Sequence, residues 1–145
     1  MANTLYDGAR RRFAQGDIDW ENDTFKVVLV DTGAYTPNFS VHEYLDTIGA
    51  IARTFGDSGA GGVVLGRVNT TPIQPNGALD GDDCTFSNVS GATIEAVVIY
   101  KDVGGVAANS PLIAYLDTAT GLPITPNGGD IIVTWDNGVN RIFRL

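Results

Sequence analysis

Cysteine occurs once in the 145 residues, at Cys84, which excludes an internal disulfide framework and any cysteine-built metal site. Cys84 precedes Thr85 and Phe86 in a strand-like run, so it reads as a small buried hydrophobe rather than a reactive thiol. Histidine also occurs once. His42, beside Glu43, reads as a surface or turn residue rather than a catalyst. Cations are scarce: nine Lys and Arg stand against seventeen Asp and Glu, giving a net charge of −8 and a pI near 4.3. Such a field repels phosphates and anionic headgroups, so neither nucleic acid nor a membrane is expected as a partner. No apolar run approaches the roughly 18 residues that a membrane span needs, and the mean hydropathy is only +0.04. The opening MANTLYDGARRRF lacks the apolar centre of a secretory signal, so synthesis and assembly in a cytoplasm are expected. Without that signal, the N-x-Ser/Thr triplets at Asn22, Asn38, Asn69 and Asn88 carry no glycosylation meaning. No repeat or long linker divides the chain, and a chain this size buries roughly 68–70% of its unfolded surface around one core. Residues 1–145 are expected to form one domain.

What the sequence does contain is β signal. Thr24 to Asp31 (TFKVVLVD), Cys84 to Val89, Thr93 to Asp102 (TIEAVVIYKD) and Pro111 to Asp117 (PLIAYLD) read as strands separated by turn clusters. With no helical patterns between the last of these, the fold class expected is mainly β. The architecture is an antiparallel β-sandwich or a jelly-roll-like barrel with a short N-terminal helix. That helix should run from a cap at Asn3 or Thr4 to about Gln15, with Leu5, Ala9 and Phe13 on one side and Gly16 ending it. Asp17 to Asp23 reads as a linker or edge strand. Val41 to Thr47 is expected to make two helical turns, capped by Ser40 with Glu43 closing a capping box. From Ile48 to Gly81 the chain turns rich in Gly, Pro, Asn and Thr. Long loops are expected there, with IARTF and VVLGRV as short strands. The end of the chain, Asp130 to Leu145, looks like a hairpin, because Asn137-Gly138 suits a type I′ turn. That register sets Asp136 opposite Val139, Trp135 opposite Asn140, Val133 opposite Ile142 and Ile131 opposite Arg144.

Catalytic signatures are weak throughout. Gly56-Asp57-Ser58-Gly59 looks like the nucleophile segment of trypsin-like serine proteases, but Ala60 replaces the next glycine. The only histidine lies too close upstream, and the chain cannot hold two barrels. Gly59-Ala60-Gly61-Gly62 fits neither a dinucleotide fingerprint nor a phosphate loop. Asp80, Asp82 and Asp83 could attract a cation, yet they lack the spacing and closing glutamate of a calcium loop and read as a solvated acidic turn. No cofactor and no catalytic residue are expected. Arg10, Arg11 and Arg12 concentrate a third of the cations on one short helix. They read as a solvated face or as a contact for an acidic partner.

The opening ANTLYDGARRRFAQGDIDW, the strand TFKVVLVD, the segment EYLDTIGAIAR, VIYKD and the closing LIAYLDTATGLPITPNGGDIIVTWDNGVNRIFRL together resemble a family of small virion structural proteins of tailed bacteriophages. The likeness covers about two thirds of the chain and is least over Thr54 to Gly91. It implies a capsid cement or decoration protein, located in the virion and assembled in the bacterial cytoplasm. Its implied partners are the major capsid protein and its own copies, in a homotrimer suited to threefold positions. Arg10, Arg11 and Arg12 and the glycine-rich loops are the candidate contacts. A tail, neck or host-binding component of the virion is the alternative. An enzyme or a carbohydrate-binding module using Trp20 or Trp135 as a sugar platform is a third reading.

Overall fold

In the computed structural model the strongest β runs of the sequence meet in one antiparallel sheet. The structure describes residues 3–54, 63–64 and 72–145. The sheet centre is β2 (Phe25–Val30), β7 (Ala96–Lys101) and β8 (Leu112–Leu116), rich in the β-branched and aromatic residues that pack well on a pleated surface. Six pairs from Phe25↔Lys101 to Val30↔Ala96 join β2 to β7, and β7 pairs onward with β8. A two-residue strand, β1 (Thr4–Leu5), extends β8. On the far side of β2, β3 (Arg53–Thr54) and β4 (Val63–Val64) pair with its two ends in turn. Two small ribbons stand beside this sheet: β5 (Ala78–Leu79) with β10 (Phe143–Arg144), and β6 (Cys84–Phe86) with β9 (Ile131–Val133). Among the described residues the chain is therefore mainly β and antiparallel with one short α-helix, as its sequence indicates.

Both faces of the central sheet are covered. Ala96 to Tyr100 and all five residues of β8 are buried, which is why these strands read as continuous apolar runs without alternation. Phe25, Val27 and Leu29 share one face with Ile99 and Val97. Trp20 lies on it, its ring stacked 4.3 Å from that of Phe25 and edge-on to Phe143. Phe143 in turn meets Phe13 of the helix edge-on at 6.3 Å. The opposite face carries Val28, Val98 and Tyr115. There the edge of Phe39 meets Tyr115 at 5.7 Å, and Leu45, Ile48 and Ala52 are buried in the same core.

The helix, α1 (Asp7–Gln15), starts later than the sequence suggests. Thr4 and Leu5 extend the sheet instead, and Tyr6 N–H donates to the Ile113 carbonyl, so the backbone that a helical start would use is committed to β8. Asn3 caps something else. Its side-chain oxygen accepts the backbone N–H groups of Asp117 and Thr118. At the other end Gly16 does terminate the helix, in the left-handed region at φ 79°, with Asp17 N–H donating to the Arg12 carbonyl.

Asp17 to Asp23 is a linker and not an edge strand, because the Asp19 carboxylate accepts the backbone N–H groups of Glu21 and Asn22 and folds the segment into a turn. Two other expectations are overturned. Residues 41–47 form only a single 3₁₀ turn, Leu45–Thr47, and Glu43 reaches away toward α1 rather than back to Ser40. The terminal hairpin does not form either. Neither Asn137 nor Gly138 has the positive φ that a type I′ turn requires, whereas Arg141 does, at 49°. Its two arms find other partners: Val133 sits opposite Cys84 and Ile131 opposite Phe86, while Phe143 sits opposite Leu79. Those pairings place Ile131, Val133 and Phe143 against the main core, which a free-standing hairpin could not do. The short strands expected after Ile48 fare better, since IARTF supplies β3 and VVLGRV supplies β4. The glycine segments of residues 56–62, with Ser58, and the Asn69 triplet lie outside the described residues.

Candidate functional site

The three consecutive arginines of α1 point to different surroundings, because successive residues on a helix are rotated by about 100°. Arg10 is exposed and pairs only with Asp7, one turn earlier, at 3.2 Å. Arg11 is equally exposed and pairs with Glu43. Arg12 is largely buried, with 14% of its side chain accessible. It donates to Glu43 at 2.6 Å and to the Tyr44 hydroxyl at 2.8 Å, with its guanidinium 5.2 Å from the centre of the Tyr44 ring. Glu43 thus receives two arginines. The hydrogen bond from Arg12 holds its carboxyl below the usual range; partial burial opposes this, and the charges of Arg12 and Arg11 reinforce it. Arg10 and Arg11 remain an outward cationic pair, while Arg12 fastens α1 to the loop after Tyr35.

Beside this helix a cleft of about 190 Å³ runs along β1, between Arg10 and Arg144, with Leu5, Ile142 and Phe143 in its floor. Two arginines flanking an apolar floor suit a partner segment that combines apolar and acidic residues.

The acidic turn is not merely solvated. Asp80 is buried, its carboxylate accepts Gly81 N–H and lies 3.5 Å from Arg141 Nε, and its backbone carbonyl accepts the Trp20 indole N–H. The Asp82 carbonyl accepts the Trp135 indole N–H, and the Asp83 carboxylate accepts the Trp135 backbone N–H. Among the described residues no three His, Cys, Asp or Glu side chains are grouped so as to hold a metal ion. Both tryptophans are buried, at 3% and 8% accessibility, so neither presents the open ring face that a sugar platform needs.

Cys84 is buried as its neighbours suggest, and burial, followed by the charges of Asp83 and Asp82, pushes its thiol up to about 12. His42 is half-buried and bonded: its Nδ1 lies 3.0 Å from the Tyr35 hydroxyl and 3.1 Å from Asn38 N. Among the described residues no helix is long and apolar enough to cross a membrane.

Sequence reasoning singled out the arginines but missed Glu43 and Tyr44 as their partners. The signal does not exist locally, since about thirty residues separate them and only the packing of residues 35–52 beside α1 brings them together. No known family model matches this chain, and no curated protein is significantly similar to it.

Proposed function

We propose that this chain is a structural protein of a tailed-bacteriophage virion, a capsid cement or decoration protein that acts by binding and not by catalysis. It stabilises the shell through contacts with the major capsid protein and with its own copies, as a homotrimer at threefold positions. The observation that carries the reading is where the resembling segments fall. ANTLYDGARRRF supplies β1 and α1, TFKVVLVD supplies β2, and VIYKD and LIAYLD supply most of β7 and β8. These segments thus supply the long strands of the central sheet and the helix beside it, whereas Thr54 to Gly91, where the resemblance is least, supplies only short strands among the described residues.

A rigid body with both sheet faces filled, carrying an outward cationic pair at Arg10 and Arg11 beside an apolar-floored cleft, supports a task of docking to an acidic neighbour. Purified phage particles, resolved on a gel and quantified against the major capsid protein, test the proposal. On the order of hundreds of copies per particle are expected of a shell component. About a dozen would move the protein to the tail or neck, and absence from particles would overturn the reading. Replacing Arg10 and Arg11 together by Ser should lower incorporation while the isolated fold survives.

A further inference from the structure

Three polar groups, buried at the two tyrosines and half-buried at His42, form a chain between the 35–42 loop and the start of α1. The Tyr6 hydroxyl lies 2.9 Å from that of Tyr35, and the Tyr35 hydroxyl lies 3.0 Å from His42 Nδ1. Asn38 N–H is aimed at the same Nδ1, and His42 N–H donates back to the Asn38 carbonyl at 2.8 Å, so residues 38–42 close on themselves through the imidazole. A nitrogen that receives a backbone N–H carries no proton of its own. The ring is therefore the tautomer protonated at Nε2, with Tyr35 donating to Nδ1 and Tyr6 donating to the Tyr35 oxygen. In that state the Tyr35 hydroxyl and Asn38 N–H share Nδ1 as acceptor, and the Tyr6 hydroxyl has the Tyr35 oxygen.

One added proton breaks the arrangement. With hydrogen on Nδ1, Asn38 N–H meets another donor. Nδ1–H takes the Tyr35 oxygen, and either Tyr6 or Tyr35 must then leave its own hydroxyl proton without an acceptor. Tyr6 has no accessible surface and Tyr35 almost none, so water cannot replace the missing acceptor without opening the packing. The loop so closed is not peripheral. The Phe39 carbonyl accepts Asp7 N–H at the first turn of α1, and the Phe39 ring packs edge-on against both Tyr6 and Tyr115.

We propose that His42 is a pH-operated latch: proton uptake by its imidazole releases the 35–42 loop from the N-terminal end of α1. Imidazole is the side chain that ordinarily changes charge between pH 8 and 5. The phenols facing it, Tyr35 and Tyr6 together with Tyr115 of β8, are all raised by burial and stay protonated throughout. The nearby carboxylates are engaged elsewhere, Asp7 with Arg10 and Glu43 with Arg11 and Arg12.

His42 is the only histidine, so its ring protons report their own titration in a proton spectrum. The Asn38 amide resonance should move upfield from pH 8 to 5 with the midpoint of those ring protons. In His42→Asn, whose side-chain oxygen replaces Nδ1 as acceptor without titrating, the Asn38 amide should stay in place. Over the same range the melting temperature of the natural protein should fall by about 3 °C relative to that variant. An Asn38 amide that does not follow the ring protons in the unmodified protein overturns the latch, whether or not the variant folds. So does an equal pH dependence in both proteins.

Discussion

The indole N–H of Trp20 donates to the backbone carbonyl of Asp80 across 2.9 Å, tying the turn before β2 to the acidic turn sixty residues later. Trp135 makes the matching bond to Asp82 at 2.8 Å, so the acidic turn acts as a bracket for both tryptophans. Its carboxylates are partly occupied in the same task, Asp83 with the Trp135 backbone and Asp80 with Gly81.

Trp20→Phe keeps an aromatic ring on Phe25 but leaves the buried Asp80 carbonyl without its donor. A loss of about 1–3 kcal/mol in urea unfolding is expected. Trp20→Ala also empties the space between Phe25 and Phe143 and should lose about 3–5 kcal/mol. Equal losses for the two variants would mean that the hydrogen bond, not the packing, dominates at this site.

The arginines of α1 should separate cleanly. Arg12→Ser removes the ion pair to Glu43, the hydrogen bond to Tyr44 and the packing of the guanidinium on its ring, and should destabilise by about 1–3 kcal/mol. Arg10→Ser, which loses only an exposed pair with Asp7, should stay within about 0.5 kcal/mol of the natural protein. Denaturant midpoints of the two variants decide this. A triple serine variant therefore confounds folding with binding, and the Arg10 and Arg11 pair is the cleaner test of docking.

Glu43 gives a pH dependence with a definite sign. Its carboxyl is held below its ordinary value, about 4.5, chiefly by the hydrogen bond from Arg12. The stability it contributes is therefore fully present above that ordinary value and is lost as the pH falls through the lowered one. The stability difference between the natural protein and Glu43→Gln should be constant from neutrality to about pH 5 and shrink below about pH 4.5. Denaturant titrations at pH 7, 5 and 3.5 measure it; a difference that widens toward pH 3.5 would show the assignment to be wrong.

Cys84 should resist alkylation in the folded state. Its thiol is 1% accessible and raised to about 12, so at pH 8 almost no thiolate is present to attack. Iodoacetamide labelling followed by mass spectrometry should show modification only when denaturant unfolds the chain. Rapid labelling of the native protein would mean that the β6–β9 ribbon opens readily.

Elements whose signal is carried by consecutive residues were legible. TFKVVLVD, AVVIYK and LIAYL read as strands because apolar β-branched runs have few other ways to be buried. Gly16 read as a helix end because only glycine adopts the left-handed conformation there without strain. The terminal hairpin was not legible, although Asn137-Gly138 is a strong local pattern. A turn pair states what the backbone can do, and the competing partners β5 and β6 lie more than forty residues away. The capping box at Ser40 and Glu43 failed for the same reason, since Arg11 and Arg12 offered Glu43 a stronger, charged partner.

By itself the amino-acid sequence determined the acidic charge, the strand segments, the burial of Cys84 and the antiparallel β-rich class. Each of these follows from composition or from short-range pattern. Only the tertiary structure decided which strands pair, that Arg12 is an anchor while Arg10 and Arg11 face outward, and that His42 closes a chain of buried hydroxyls. Those outcomes depend on contacts between residues tens of positions apart, whose free energies are comparable with local preferences and settle only when the whole core is packed.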